Sequence, residues 1–167
     1  MTPHPRLQAQ ARLATPMGDM TAAASATGLA GLWFDGQAHH PGPLAAPVDP
    51  DQRWLRATER ALAAYFDGAD YPLQGVSLDL HGTAFQQAVW RALLALPRGG
   101  TSTYAQIATA AGSPAAVRAA GAAIGRNPVS ILVPCHRVLG RDGSLTGYAG
   151  GLDRKQALLQ REGVLLI

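Results

Sequence analysis

The sequence has little cysteine, no long apolar run and no export signal, and each absence removes a class of protein. Cys135 is the only cysteine among 167 residues, so an internal disulfide or a cysteine-rich zinc site cannot form. No stretch of eighteen apolar residues is free of charge, which predicts no membrane span. The N-terminus lacks the apolar core of a signal peptide. These absences favour a soluble cytoplasmic protein of one medium domain or two small ones.

Acidic residues are scarce in the second half of the chain. Residues 1–81 hold 5 basic and 8 acidic side chains, whereas residues 82–167 hold 9 basic and 3 acidic ones. The overall formal charge of +3 therefore hides a clearly basic second half, which favours a polyanionic partner for that half. The alternative is ordinary surface charge that happens to segregate along the chain.

The first half is predicted to be a small α/β unit. Residues 20–34 resemble a short hairpin with a turn at Thr27-Gly28, and residues 35–50 are rich in proline and glycine and predict a loop. Residues 51–66 carry apolar side chains at helical spacing, which predicts a helix that ends at Gly68. Residues 76–80 alternate as a strand does.

The second half is predicted to be mainly helical. Thr83 is a candidate N-cap with Gln86 three residues later, as in a capping box, and the helix stops at residues 97–100. Residues 103–111 and a second helix from Pro114 to about residue 124 form a helix-turn-helix pattern. The second helix, the candidate recognition helix, is mostly alanine and glycine, which permits close approach to a DNA groove with little sequence preference. The alternative is that these alanines let two helices pack tightly. A last helix is predicted from Asp153, as N-cap, to residue 162.

The surroundings of Cys135 favour reactivity. A strand-like apolar segment ends at Pro134, and His136 and Arg137 follow the sulfur directly. Both side chains can stabilise a thiolate, which is the nucleophilic form of cysteine. The alternative is that Cys135 is a small buried hydrophobe, because free cysteine is among the most buried residue types.

The run GRNPVSILVPCHRV at residues 125–138 closely resembles the active-site signature of the O6-alkylguanine-DNA alkyltransferases. The resemblance extends over about residues 81–163 and includes FQQAVW at 85–90, Thr103-Tyr104, TGYAGG at 146–151 and Arg154-Lys155. The first eighty residues match only loosely. The resemblance implies a ribonuclease-H-like α/β domain at residues 1–80 and a winged helix-turn-helix-like domain at residues 81–167, which carries the site.

The family resemblance also implies an activity and a set of partners. Family members repair DNA by moving an alkyl group from O6-alkylguanine, and less efficiently from O4-alkylthymine, irreversibly onto their own cysteine. We therefore expect a monomer that uses no cofactor, binds double-stranded DNA through the minor groove and flips the damaged base out of the stack.

Five residues receive catalytic roles from the resemblance. Cys135 accepts the alkyl group, His136 withdraws the thiol proton through a bound water, and Glu162 orients His136. Tyr104 donates a hydrogen bond or proton to the guanine ring nitrogen, and Asn127 braces the turn before the cysteine segment. Read from the residues alone, Tyr104 could equally be a core aromatic and Glu162 a solvated charge.

Further residues receive binding roles from the resemblance. Arg118 would fill the gap left by the flipped nucleotide, with phosphate binding as a close alternative. The remaining DNA contacts are expected at Thr103, Ala119, Gly121 and Arg137. The base pocket is expected to be formed by Tyr148, Ala149, Val138, Gly150 and Lys155.

The chain also departs from parts of the family pattern. Ser130 stands where some relatives have proline, which would alter the tolerance for bulky alkyl groups. Some relatives hold zinc in the N-terminal domain, but this half has no cysteine, so we expect no metal site; its histidines are His4, His39, His40 and His81. Two other functions remain as alternatives: a non-catalytic DNA-binding module, and a cysteine hydrolase, which the lack of any histidine after His136 disfavours.

Overall fold

The computed structural model describes residues 6–70, 72–73 and 75–164, which divide into two compact units. The first unit contains the described residues up to His81 together with Pro128–Leu132. The second contains Gly82–Asn127 and the described residues from Val133 onward. The sequence predicts one division after residue 80 and does not predict the return of Pro128–Leu132 to the first unit. Within the described ranges, no helix has the length and apolar character needed to cross a bilayer.

The first unit is built on an antiparallel meander of three strands, β1 (Leu7–Leu13), β2 (Met20–Ser25) and β3 (Leu29–Phe34). The predicted hairpin is confirmed as β2 and β3, whose register pairs Met20 with Phe34. The prediction lacks β1, although its apolar residues alternate along LQAQARL. Alanine and glutamine are weak strand formers, so this alternation is easily overlooked.

Helix α1 (Arg53–Phe66) covers the sheet and confirms the helix predicted over residues 51–66. It begins where the side-chain oxygen of Gln52 accepts hydrogen bonds from the amides of Trp54 and Leu55. It ends before Gly68, whose φ of +98° is open to glycine without strain. The buried face of the helix includes Leu55, Leu62 and Tyr65.

The prediction of a regular strand at residues 76–80 is wrong. Only Leu78 forms a bridge, to Leu29, through hydrogen bonds from the Leu29 amide to the Ser77 carbonyl and from the Asp79 amide to the Leu29 carbonyl, both 2.8 Å. The contact requires glycine at Gly28, because a Cβ there would lie 2.6 Å from the Ser77 carbonyl oxygen.

Pro128–Leu132 joins the first unit through β3. The Leu32 amide donates to the Pro128 carbonyl at 2.8 Å, and the Ser130 amide donates to the Leu32 carbonyl at 2.9 Å. The Ser130 hydroxyl donates to the Gln37 side-chain oxygen at 3.1 Å in the interior. The residues just before the cysteine segment are therefore fastened to a strand of the first unit.

The second unit is mainly helical, so the whole chain is mixed α/β. Its elements are α2 (Ala84–Leu94), β4 (Ser102–Thr103), α3 (Tyr104–Ala110), α4 (Val117–Gly125), a 3₁₀ turn (Cys135–Arg137), β5 (Val138–Leu139) and α5 (Leu152–Arg161). The short strands β4 and β5 pair in parallel. The Trp90 indole donates to the Ala123 carbonyl at 2.9 Å and ties α2 to α4 in the interior.

The helix boundaries in the second unit are partly as predicted. The capping box of Thr83 and Gln86 is confirmed at the start of α2. Helix α4 begins at Val117 and not at Pro114, because the Ala116 amide donates to the Ser113 carbonyl in a separate turn. Asp153 lies in the first turn of α5 and is not its N-cap, since that position belongs to Gly151.

Candidate active site

Cys135 opens the 3₁₀ turn that follows Pro134, and only 5% of its surface is exposed. The segment before it is not the strand that the sequence predicts. It consists of turns, in which Ile131 has a φ of +70° and the Cys135 amide donates to the Val133 carbonyl at 2.8 Å. A β-branched residue rarely adopts this φ, so the backbone just before the thiol is strained.

The thiol of Cys135 lies among groups that act on its pKa in opposite directions. Burial is the largest influence and raises the pKa, because the charged thiolate loses its hydration. A hydrogen bond with the Asn127 side chain and the positive charge of Lys155 lower it by less. The resting group is therefore a protonated thiol, and its use as a nucleophile requires a base.

His136 and Glu162 form a buried pair next to the cysteine. The distance between His136 Nε2 and Glu162 Oε2 is 2.6 Å, and both side chains are fully buried. Burial lowers the pKa of His136, the hydrogen bond and charge of Glu162 raise it, and the charges of Arg137 and Lys155 lower it further. The net lowering leaves a neutral imidazole, whose orientation is set by the carboxylate.

Arg137 completes a buried ion cluster with Glu162. Its Nε donates to Glu162 Oε1 at 2.7 Å, its Nη2 to Oε2 at 3.2 Å, and its Nη1 to the Leu96 carbonyl at 2.7 Å. Only 6% of the residue is exposed. The sequence predicts a DNA contact for Arg137, whereas in this structure the guanidinium group is bound inside the unit.

Asn127 links the end of α4 to the backbone before the cysteine. It is buried, and its side-chain amide donates to the Val133 carbonyl at 2.8 Å. Because Val133 lies two residues before Cys135, this bond fixes the turn from which the thiol projects.

Lys155 is fully buried in the second turn of α5. Its Nζ donates to the Thr146 carbonyl at 2.6 Å and to the Gly147 carbonyl at 3.3 Å. Burial lowers the pKa of this amine to about 8, against the opposing influence of Cys135. The lysine therefore holds the start of the loop at residues 146–151 beside the thiol.

Thr146 connects this loop to Tyr104, and the sequence prediction gives it no role of its own. The Tyr104 hydroxyl lies 2.9 Å from the Thr146 hydroxyl, while the Thr146 carbonyl accepts from Lys155. Tyr104 is the first residue of α3 and is half-buried. No local pattern could reveal the contact, because its two partners are 42 residues apart.

The other predicted pocket residues lie around the same loop and turn. Val138 is buried in β5 and pairs with Ser102 of β4. Gly150 is buried, and its carbonyl accepts from Arg154 Nη1 at 3.1 Å. Tyr148 and Ala149 are half-buried.

The predicted DNA contacts other than Arg137 lie on α3 and α4. Thr103 is the N-cap of α3, and Arg118 and Ala119 are exposed on α4. Gly121 faces the Tyr104 ring, which a Cβ at this position would meet at 3.6 Å. Four predicted contacts therefore lie on the helix pair or at its start.

No group of three histidine, cysteine, aspartate or glutamate side chains in the described ranges could hold a metal ion. The Nδ1 of His40 accepts from the Gly42 amide at 3.0 Å, and His81 Nε2 lies 2.8 Å from Asp79 Oδ1. His4 lies outside the described residues.

The chemistry of the site follows from these contacts. A protonated thiol and a neutral imidazole belong to adjacent residues of one turn, and a carboxylate that is itself held by an arginine orients that imidazole. Such an arrangement can take the proton from the sulfur and so produce a nucleophile. The buried setting favours transfer to a group that enters the site over reaction with bulk water.

Residues 84–164 match the family model described as 6-O-methylguanine DNA methyltransferase, DNA binding domain. The methylated-DNA–protein-cysteine methyltransferase of Mycobacterium tuberculosis is 45% identical over 148 residues, which cover 89% of this chain and 88% of the relative. The same-named protein of Salmonella typhimurium is 53% identical over 106 residues, 64% of this chain and 62% of the relative. The crystal structure of Mycobacterium tuberculosis OGT in complex with DNA has a TM-score of 0.81, with 42% identity and 92% coverage of both chains.

Proposed function

This chain belongs to the methylated-DNA–protein-cysteine methyltransferase family, and we propose that it carries out this repair with Cys135 as the alkyl acceptor. It is a DNA repair transferase that moves an alkyl group from alkylated DNA to a cysteine. The observation that supports our assignment is the position of the chain's only cysteine beside a buried histidine–carboxylate pair.

The transfer is a displacement at the alkyl carbon. The proton of the Cys135 thiol passes through a water to His136 Nδ1, while Nε2 stays hydrogen-bonded to Glu162. The sulfur then bonds to the alkyl carbon, the bond from this carbon to O6 breaks, and its electron pair moves onto the purine. Tyr104 donates a proton or hydrogen bond to the ring nitrogen, so that negative charge does not accumulate on the leaving base.

The products are guanine in the DNA and a thioether on Cys135. A thioether has no low-energy route back to a thiol, so each molecule reacts once. The same chemistry extends to O4-alkylthymine, whose alkyl carbon is also bonded to an exocyclic oxygen.

The base pocket is assigned to the loop at residues 146–151 and the turn that carries the thiol. Tyr148 stacks on the flipped base, and the Ala149 amide donates to O6. The Cys135 and Val138 carbonyls accept from the exocyclic amine, and Gly150 allows close approach of the loop. Lys155 supports this arrangement through its bonds to the loop carbonyls.

DNA binding is assigned to α3 and α4 in the minor groove. The exposed Arg118 enters the duplex in place of the flipped nucleotide, and Thr103, Ala119 and Gly121 contact the backbone. The basic charge of residues 82–167 supports this assignment. The second domain is of winged helix-turn-helix type, and the first is of ribonuclease-H-like type.

The protein acts as a monomer in the cytoplasm. The single-turnover chemistry requires one thiol and no second subunit. The need for a reduced thiol supports this location, because the cytoplasm is a reducing compartment and an oxidised Cys135 could not accept an alkyl group.

Intact-mass spectrometry tests the assignment of Cys135. The wild type and Cys135→Ser are each mixed with duplex DNA that carries one O6-methylguanine. We expect the wild type to gain one methylene per molecule, on the Cys135 peptide, and the variant to gain none. Damaged-DNA binding without a mass gain would instead support a sensor, and an absence of both would remove the proposal.

A further inference from the structure

We propose that Arg137 is a positioning residue for alkyl transfer, which holds Glu162 as a carboxylate and thereby keeps His136 a neutral base. This role rests on the proposed function, because it concerns the proton that leaves Cys135. It differs from the DNA contact that the sequence predicts for Arg137.

The geometry gives Arg137 three fixed contacts. Two of its nitrogens bind the two oxygens of Glu162, and the third binds the Leu96 carbonyl just after α2. A planar guanidinium can make these contacts at once, whereas an ammonium group cannot reproduce the paired fork. Arg137 therefore fixes the carboxylate relative to the backbone that follows α2.

Glu162 stands where a carboxylate is otherwise unfavourable. It is the C-cap of α5, so the unpaired carbonyls of the last helical turn place partial negative charge beside it. It is also buried, and a buried carboxylate requires a cation or a proton. Arg137 supplies that cation and is always charged in proteins.

The charges around His136 depend on this pairing. The charged groups that act on His136 are Lys155 of α5, Glu162 at its C-cap, and Arg137 from the same turn as His136. With Arg137 present, the positive guanidinium balances the carboxylate without a proton on the imidazole. Without Arg137, the buried carboxylate would have His136 as its main partner, which favours the imidazolium form.

The consequence for the reaction concerns its low-pH limit. A protonated His136 cannot take the proton of Cys135, and burial keeps that thiol protonated at rest. The charge of Arg137 also lowers the pKa of His136, in the direction that this role requires. Arg137 therefore extends the pH range of transfer toward acid.

The test is the single-turnover rate of methyl transfer as a function of pH, for the wild type, Arg137→Gln and Arg137→Lys. Arg141→Gln is the matched control, since it removes the same charge from an exposed position nearby. We expect Arg137→Gln to move the acidic limb upward by about one pH unit, so that transfer is up to about tenfold slower at pH values below the wild-type midpoint and recovers as the pH rises. Arg137→Lys should shift the limb less, and Arg141→Gln should not shift it.

In the rate and binding measurements, two results would overturn this role. One is an equal loss of rate at every pH in Arg137→Gln, which would indicate a purely structural residue. The other is weaker DNA binding with a smaller salt dependence, which would indicate a phosphate contact. A wild type that transfers no methyl group would instead defeat the proposed function, so the two failures are distinguishable.

A second measurement covers the case in which Arg137→Gln does not fold. The protonation state of His136 is followed by NMR in the wild type and in Arg137→Lys. We expect a neutral imidazole near neutral pH in the wild type, and a higher titration midpoint in the lysine variant. A wild-type His136 that is protonated near neutral pH would overturn the role of Arg137.

Discussion

The two units of the molecule differ in how far their paired charged side chains are exposed to solvent. In the first unit, Arg12 pairs with Asp19 and Asp35, and these three side chains are 64%, 53% and 41% exposed. In the second unit, Arg137 and Glu162 pair with at most 7% of either side chain exposed. Exposed pairs remain hydrated and contribute little to stability, whereas buried pairs lose their hydration and must recover that cost by close contact.

This difference indicates which charges serve chemistry. Apolar residues of similar volume often stabilise an interior as well as a buried ion pair does, so stability alone does not explain the Arg137–Glu162 pair. Lys155 repeats the pattern, since it is buried next to the same thiol. The second unit thus carries buried charge where the proposed reaction needs a base and a fixed loop.

The largest expected contrast comes from removing one carboxylate in each unit. Glu162→Gln leaves Arg137 buried without a counter-charge, so we expect the free energy of unfolding to fall by roughly 3–5 kcal/mol. Asp35→Asn is the matched change in the first unit and should have little effect, because Arg12 keeps Asp19 and water. Urea denaturation of both variants measures the contrast, and similar losses in the two would break it.

A smaller and pH-dependent effect is expected at Lys155. Its pKa is about 8 in the folded protein and near 10.5 when unfolded, so the unfolded chain binds more protons between these values. The contribution of Lys155 to the free energy of unfolding should therefore increase as the pH rises from 8 to 10.5, because stability rises with pH wherever the unfolded chain binds more protons. Below pH 8 the buried amine is charged in both states, and its cost to folding is constant.

Lys155→Met isolates this contribution. The variant retains the length of the side chain but cannot titrate, so the difference between wild-type and variant stability should change across that pH range. Urea denaturation at several pH values measures it. Parallel curves for the two proteins would mean that the lysine titrates normally in the fold.

The smallest effect is expected at Asp79 in the first unit. Burial raises the pKa of Asp79, but hydrogen bonds with Ser25, Thr27 and His81 outweigh it and hold the pKa below its ordinary value. The carboxylate therefore stabilises the fold above its ordinary pKa of 3.8, and this contribution is lost as pH falls through the lower folded value. Asp79→Asn should reduce stability slightly near neutral pH and weaken the acid-induced loss.

Denaturation at acidic and neutral pH checks the prediction for Asp79. Methyl transfer should not change, because this carboxylate belongs to the unit without the thiol. A variant with normal stability but slow transfer would contradict the functional division between the two units.

The parts of the fold that follow from local chemistry could be predicted from sequence. The capping box at Thr83, the stop at Gly68 and the turn at Thr27-Gly28 each depend on a few neighbouring residues. The single bridge at Leu78 and the return of Pro128–Leu132 depend on pairing with distant strands. Alternation alone cannot tell whether a segment has such a partner along its length.

The candidate site divides in the same way. The adjacency of Cys135 and His136 is visible in the sequence, and it predicts a thiol beside a base. Arg137 and Glu162 are 25 residues apart, so the sequence does not show that they are in contact. From sequence alone, the basic side chain of Arg137 is therefore expected to be a surface group. Burial is a property of the assembled unit, and a single motif does not contain it.

Lys155 has a practical consequence, because it is the only lysine in the chain. Its amine is enclosed by the Thr146 and Gly147 carbonyls, so an acylating reagent should reach it only when that enclosure opens. Apart from the α-amino group, the native surface offers such a reagent no competing amine. The rate at which Lys155 is labelled would then report how often the loop at residues 146–151 opens, with no probe engineered into the protein.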